Sequence, residues 1–110
     1  MIEDTIGKIE ARIRAAESIN DDRRRELLEL LGTLKTEVDG LSETHEEQAR
    51  SIAAFADVSA HEATRVQRNP RLVKLSIEGL RSSVAEIQES HPGLVRIVDA
   101  ISNILSGLGI

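Results

Sequence analysis

The chain contains no cysteine, no tryptophan and no tyrosine, and Phe55 is its only phenylalanine. Without cysteine there is no disulfide framework, no thiolate zinc site and no thiol nucleophile. Without large rings the core must be built from Ile, Leu, Val and Ala. Aliphatic side chains of this kind pack well in helix seams, whereas sheets usually also use aromatic residues. Because only two prolines interrupt the 110 residues, we predict an all-α protein.

Basic residues are outnumbered, since 14 Lys and Arg stand against 19 Asp and Glu, for a formal net charge of -5. General affinity for phosphate backbones requires clustered cations, so we expect no nucleic-acid partner. The charge is also uneven, with -7 on residues 1–64 and +2 on residues 65–110. This polarity could guide antiparallel pairing of subunits or attract an acidic partner.

Long apolar runs are missing as well. The most apolar region, residues 93–110, is interrupted by Arg96 and Asp99 and is shorter than the roughly 20 apolar residues of a membrane span. The N-terminus carries acids where a secretory signal carries bases. We therefore expect a cytoplasmic protein that does not span a membrane.

Aliphatic residues recur at alternating steps of three and four, which is the pattern of a helix with one buried face. They predict a single domain over residues 1–110 with helices over residues 2–18, 21–67, 70–89 and 92–107. Asn20 and Asn69 are expected to cap the second helix and the helix that starts at Pro70. We find no internal repeat of the solenoid kind.

The second helix has two interpretations. Its heptad phase runs unbroken from Leu27 to Val66, and a continuous helix would measure roughly 70 Å at 1.5 Å per residue. Alternatively the helix breaks near residues 40–44, with Gly40 ending one segment and Thr44 starting the next through a capping box with Glu47. We favour the continuous helix, which makes the fold an antiparallel, coiled-coil-like hairpin or bundle with one long central helix.

A long central helix would leave an apolar stripe exposed at its thin end, and pairing with a second copy is the usual remedy. We therefore expect a homodimer or higher homo-oligomer, with another protein as a further potential partner. A self-contained monomer, in which the second helix breaks and its pieces cover one another, is the alternative. The residues expected to mediate self-association are Ile52, Phe55, Val66, Val73, Ile101, Leu105 and Leu108.

Motifs that carry chemistry are not found. The residues three before His45, His61 and His91 are not glutamates, so the Glu-x-x-His motif of di-iron helical proteins is missing. No glycine-rich phosphate loop and no nucleophile signature occur. We predict no enzymatic activity, no catalytic residue, no cofactor and no metal site.

Two segments carry a family resemblance: ESHPGLVRIVDAISNILSGLGI, residues 89–110, and RRRELLELLGTLKTEV, residues 23–38. Together they resemble a bacterial family of short helical proteins, domain of unknown function 4404, in which Ser-His-Pro precedes an apolar last helix. The resemblance implies no activity and no catalytic residue. For Ser90-His91-Pro92 we expect a structural role, with Ser90 or His91 capping the last helix and Pro92 starting it.

These patterns favour a self-associating scaffold or adaptor protein. The competing hypothesis is peripheral membrane or lipid association through residues 94–110, whose apolar arc is wide. A membrane-surface helix usually has a basic polar face. In this helix the one basic residue, Arg96, is balanced by the acidic Asp99.

Overall fold

The computed structural model describes residues 2–108, apart from the side chain of Glu3, and all the regular secondary structure in that range is helical. The helices are α1 (Ile2–Ala15), α2 (Asp21–Ser42), α3 (Glu46–Thr64), α4 (Pro70–Ser83) and α5 (Pro92–Gly107), with a 3-10 turn at Ala85–Ile87. The all-α prediction is confirmed.

Buried aliphatic residues from all five helices form one cluster. Helix α3 packs on α1, α2 and α4, while α5 packs mainly on α2 and α4. Within α3 the small side chains Ala49, Ala53, Ala56 and Ala60 are buried, which lets neighbouring helices approach closely. Burying each Ile or Leu contributes about 1.5–3 kcal/mol, so the aliphatic cluster is the main source of stability.

Asparagine caps begin two of the helices, as the sequence predicts. The Asn20 side chain accepts a hydrogen bond from the Arg23 backbone N–H at 2.8 Å. Asn69 accepts from the N–H groups of Arg71 and Leu72 at 3.1 and 3.3 Å. These bonds satisfy amide groups that a helix start leaves without partners.

Helix α1 ends at Ala15, three residues before the predicted end at residue 18. The guanidinium group of Arg24 donates to the carbonyl oxygens of Ala16 and Ile19 at 2.9 and 2.8 Å, and also to that of Ile13. Carbonyl groups at a helix end need such donors. Arg24 therefore stabilises the end of α1 and the turn into α2.

The continuous central helix over residues 21–67 is wrong, because the chain turns back at residues 43–45. The backbone N–H groups of Thr44 and His45 bond to the Leu41 carbonyl at 3.1 and 2.7 Å. A straight helix of that length would measure about 70 Å, whereas the longest extent of the molecule is 37 Å. Turning back buries Ile52 and the alanines of α3 against other helices instead of leaving them in water.

The break does not use the predicted capping residues. Gly40 lies inside α2, and the N-cap of α3 is His45, whose side chain makes no capping bond. The N-cap of α5 is His91, again without a side-chain capping bond, so neither His91 nor Ser90 acts as predicted, although Pro92 does begin the helix. Backbone bonds rather than side-chain caps hold these two turns.

Helix α4 ends at Ser83 rather than at residue 89. The chain tightens into the 3-10 turn Ala85–Ile87, where the Ile87 N–H bonds to the Val84 carbonyl at 3.2 Å. The tighter turn keeps Val84 and Ile87 buried. The apolar phase therefore continues past the end of the α-helix.

Candidate functional site

Most of the residues predicted to mediate self-association lie inside the monomer. Ile52, Val73, Ile101, Leu105 and Leu108 are each no more than 6% exposed. The turn at residues 43–45 folds α3 onto α1, α2 and α4, which buries Ile52, and α5 packs on α2 and α4, which buries Ile101 and Leu105. These five are core residues, and their proposed role as an exposed interface is corrected.

The other two predicted residues, Phe55 and Val66, are 41% and 103% exposed. Phe55 belongs to a larger exposed set on neighbouring faces of α3 and α4, which we call the α3–α4 stripe. Its members are Phe55, Val58, Leu72 and Leu75, between 38% and 53% exposed. The sequence analysis missed Val58, Leu72 and Leu75 because apolar spacing alone does not reveal which face another helix covers.

The stripe is continuous across the two helices. The Phe55 ring lies over Gly79, where an added Cβ would come within 2.4 Å of a ring carbon. Because α3 and α4 are joined by a short turn, they run antiparallel. Val58 lies one turn after Phe55 on α3, and Leu75 lies one turn before Gly79 on α4. The antiparallel arrangement therefore places Val58 and Leu75 at the same level of the helix pair.

Opposite charges stand at the two ends of the stripe. Glu47 and Glu86 line a shallow groove of about 330 Å³ together with Phe55. At the other end, Arg71 precedes Leu72 in the first turn of α4. None of these three charged side chains forms an ion pair with another residue in the range 2–108. The stripe therefore has an acidic end and a basic end.

The turns before α3 and α5 have the same structure. His45 and His91 have φ/ψ angles of -136°/63° and -135°/61°. In each turn the preceding hydroxyl, from Thr44 or Ser90, lies 2.8 Å from the imidazole Nδ1. The two imidazoles meet edge to face, with ring centroids 5.7 Å apart.

The equivalence extends along α2 and α4, with matching residues 46 positions apart. It is incomplete in α3 and α5, where the exposed Phe55 and Val58 match the buried Ile101 and Ile104. Buried residues of α2–α3 match buried residues of α4–α5 as follows: Leu27 and Val73, Leu31 and Ile77, Leu34 and Leu80, Val38 and Val84, Leu41 and Ile87, Ile52 and Val98. Helix α2 packs on α5 just as α4 packs on α3. A local twofold axis therefore relates the pairs, and the two histidines touch across it, as equivalent residues near such an axis do.

The repeat was not predicted, although an offset of 46 residues lies within the range of 20 to 50 residues that is typical of repeat proteins. The signal was present as Leu-Ser-Glu-Thr-His at residues 41–45 and Ile-Gln-Glu-Ser-His at residues 87–91. Each carries an aliphatic residue, then Glu, a hydroxyl residue and His, in the same heptad phase. Such a short motif becomes informative only together with the matching buried positions.

The described residues offer neither a metal-binding cluster nor a membrane-spanning helix. No three His, Cys, Asp or Glu side chains of that range are grouped so that they could hold a metal ion. None of the helices in this range has the length and apolar character needed to cross a bilayer. Most of the apolar arc of α5 is buried, including Leu94, Val98 and Ile104.

Comparisons with family models, with curated proteins and with solved structures found no match for this chain. The resemblance to the family of short bacterial helical proteins therefore stays a prediction.

Proposed function

We propose that this protein is a non-catalytic scaffold or adaptor that associates with a second copy of itself through the α3–α4 stripe. The observation that carries the proposal is the row of four half-exposed apolar side chains, Phe55, Val58, Leu72 and Leu75. Adjacent exposed apolar residues with a polar rim are typical of protein interfaces. Water contact at this surface is unfavourable, so covering it stabilises a dimer.

The internal repeat indicates that the fold does not require apolar residues at two positions of the stripe, Leu72 and Leu75, whereas Phe55 and Val58 match the buried Ile101 and Ile104. The positions equivalent to Leu72 and Leu75 in the other helix pair carry Glu26 and Glu29, which are exposed. The same local structure thus accepts acids at these two positions. Leucines there serve something other than the monomer core.

The charges favour an antiparallel arrangement of the two copies. A twofold axis through the middle of the stripe would place the acidic end, with Glu47 and Glu86, against the basic end of the partner, with Arg71. The contact would then be self-complementary, as in most homodimers. Charge complementarity of this kind fixes orientation and accelerates association.

Replacing Leu72 and Leu75 by the glutamates found at the equivalent positions of α2 tests the proposal. We expect the double variant Leu72→Glu/Leu75→Glu to fold, because the equivalent positions already hold glutamates, and to be monomeric. The matched control, Glu26→Gln/Glu29→Gln, should keep the dimeric mass. Light scattering coupled to size exclusion at tens of micromolar measures both. An unchanged dimer in the leucine variant would rule out this surface.

A charge exchange tests the antiparallel arrangement separately. The variants Glu47→Lys/Glu86→Lys and Arg71→Glu should each dimerise more weakly than the natural chain, because like charges then meet at both ends. Mixed together they should form a heterodimer, since each variant now complements the other. Failure of the mixture to associate, while each variant alone still dimerises, would exclude the antiparallel arrangement.

Membrane association through α5 receives no comparable support. The apolar side chains that would enter the lipid, such as Val98 and Ile101, are 0% and 1% exposed. Binding to a membrane through this face would first require α5 to leave α2 and α4. We therefore do not propose it as a second function.

A further inference from the structure

Helix α1 occupies a groove on the α2–α3 pair. Its buried stripe includes Ile6, Ile9 and Ile13, all no more than 1% exposed. The Glu10 carboxylate lies 2.6 Å from the Lys35 ammonium. Together with the Arg24 bonds to the carbonyl groups at its end, these contacts fix α1 along one face of α2.

The face of α2 that receives α1 has an equivalent on α4. Helical spacing places Arg24, Leu27, Leu28, Leu31 and Lys35 on one face of α2. Their equivalents, 46 positions later, are Pro70, Val73, Lys74, Ile77 and Arg81. All five equivalents line one cavity of about 550 Å³, together with Arg68, Glu78 and Ser106. We call this cavity the α4–α5 groove.

In the range 2–108 no helix fills the α4–α5 groove, although its counterpart holds α1. From Pro70 to Arg81 the groove runs for about 16 Å, at 1.5 Å per residue. That length accommodates about three turns of a helix. The local twofold axis therefore provides a template for what this groove can bind.

Basic side chains outnumber acidic ones among the residues that line the α4–α5 groove. Arg68, Lys74 and Arg81 stand against Glu78 among its lining residues. Arg68 and Lys74 form no ion pair with another residue in the range 2–108. Arg81, the equivalent of Lys35, is held by Asn103 at 2.8 Å and by Asp99 at 3.7 Å. An occupant with acidic side chains along its edge would neutralise the free cations.

We propose that the α4–α5 groove binds an acidic amphipathic helix from another polypeptide. The apolar stripe of that helix would lie over the narrow exposed edges of Val73 and Ile77, which line the groove and are each 4% exposed, as the stripe of α1 lies over Leu27 and Leu31. Its carboxylates would pair with Lys74 and Arg68, as Glu10 of α1 pairs with Lys35. Recognition of this type, an amphipathic helix in a groove, depends on apolar anchors at helical spacing.

A peptide made from α1 itself is a suitable probe. We expect a labelled peptide of residues 2–15 carrying Arg12→Glu and Arg14→Glu to bind the full-length protein, measured by fluorescence anisotropy. A control peptide with the same charge, in which Ile6, Ile9 and Ile13 are replaced by Ser, should not bind. Equal binding of the two peptides would overturn the proposal, because binding would then rest on charge alone.

Two protein variants locate the binding. Lys74→Glu should weaken peptide binding about tenfold, as expected for reversing one charge at a contact. Lys8→Glu makes the same change on the exposed face of α1, away from the groove, and should leave the affinity unchanged. Both lysines are exposed, so circular dichroism should show both variants folded.

Three results would contradict the proposal. The first is no peptide binding to the natural protein at hundreds of micromolar. The second is equal affinity for the Lys74→Glu and Lys8→Glu variants, which would place the peptide elsewhere, for example in the groove of the α2–α3 pair that α1 occupies. The third is loss of the dimeric mass in Lys74→Glu, which would make a second copy the occupant of the groove.

Discussion

The α2–α3 pair and the α4–α5 pair share the spacing of their buried aliphatic residues and the conformation of their histidine turns. They differ in whether a further helix of the chain covers them. Helix α1 fills the groove of the first pair, while the groove of the second pair is open among the described residues. The comparison teaches that the shared core pattern sets the fold and that the remaining positions decide which surfaces are left for association.

The polarity of the side chains on α3 and α5 explains part of the difference. On α3, Ala53, Ala56 and Ala60 are buried and small, so α1 can pack closely. The equivalents on α5 are Asp99, Ser102 and Ser106. A groove with polar groups on one wall suits an occupant that brings charge with it, which α1 does only through a few side chains.

The largest expected effect tests whether α1 belongs to the core of the first pair. Ile9 is 1% exposed, so Ile9→Ala should lower the free energy of unfolding by about 2–5 kcal/mol through lost burial and a cavity. Val66→Ala, at a fully exposed position, should change it by less than about 0.5 kcal/mol. Urea denaturation measures both. Similar values for the two variants would show that α1 is not packed as described.

A smaller effect is expected at Ser102 in the second pair. Its side chain is 0% exposed, and its hydroxyl has no hydrogen-bond partner in the structure. The equivalent residue in the first pair is Ala56. We expect Ser102→Ala to raise the free energy of unfolding by about 1 kcal/mol, because burying an unsatisfied hydroxyl is costly. Destabilisation in urea would indicate an unseen hydrogen bond.

The smallest expected effect compares two glycines inside helices. An added Cβ at Gly32 meets nothing within 4 Å, so Gly32→Ala should raise the free energy of unfolding by about 0.5–1 kcal/mol through helix propensity. At Gly79 the Cβ would collide with the Phe55 ring, and we expect no such gain. Equal stabilisation in thermal unfolding would mean that Phe55 does not rest on Gly79.

Some of the fold follows from the sequence and some does not. The all-α class and the Asn20 and Asn69 caps could be predicted, because spacing and capping are local properties. The break at residues 43–45 was one of two interpretations of the second helix, and the sequence did not decide between them, since the heptad phase continues across the break and no side-chain cap marks it. The exposed stripe was only partly found, through Phe55, because Val73 and Leu75 look alike in sequence and differ in which neighbour covers them.

The most direct measurement is the mass of the natural chain in solution. Sedimentation equilibrium over a range of concentrations should give a reversible dimer, with twice the 12.1 kDa of one chain at tens of micromolar and a shift towards that of one chain on dilution. A single species of 12.1 kDa at every concentration would contradict self-association through the α3–α4 stripe.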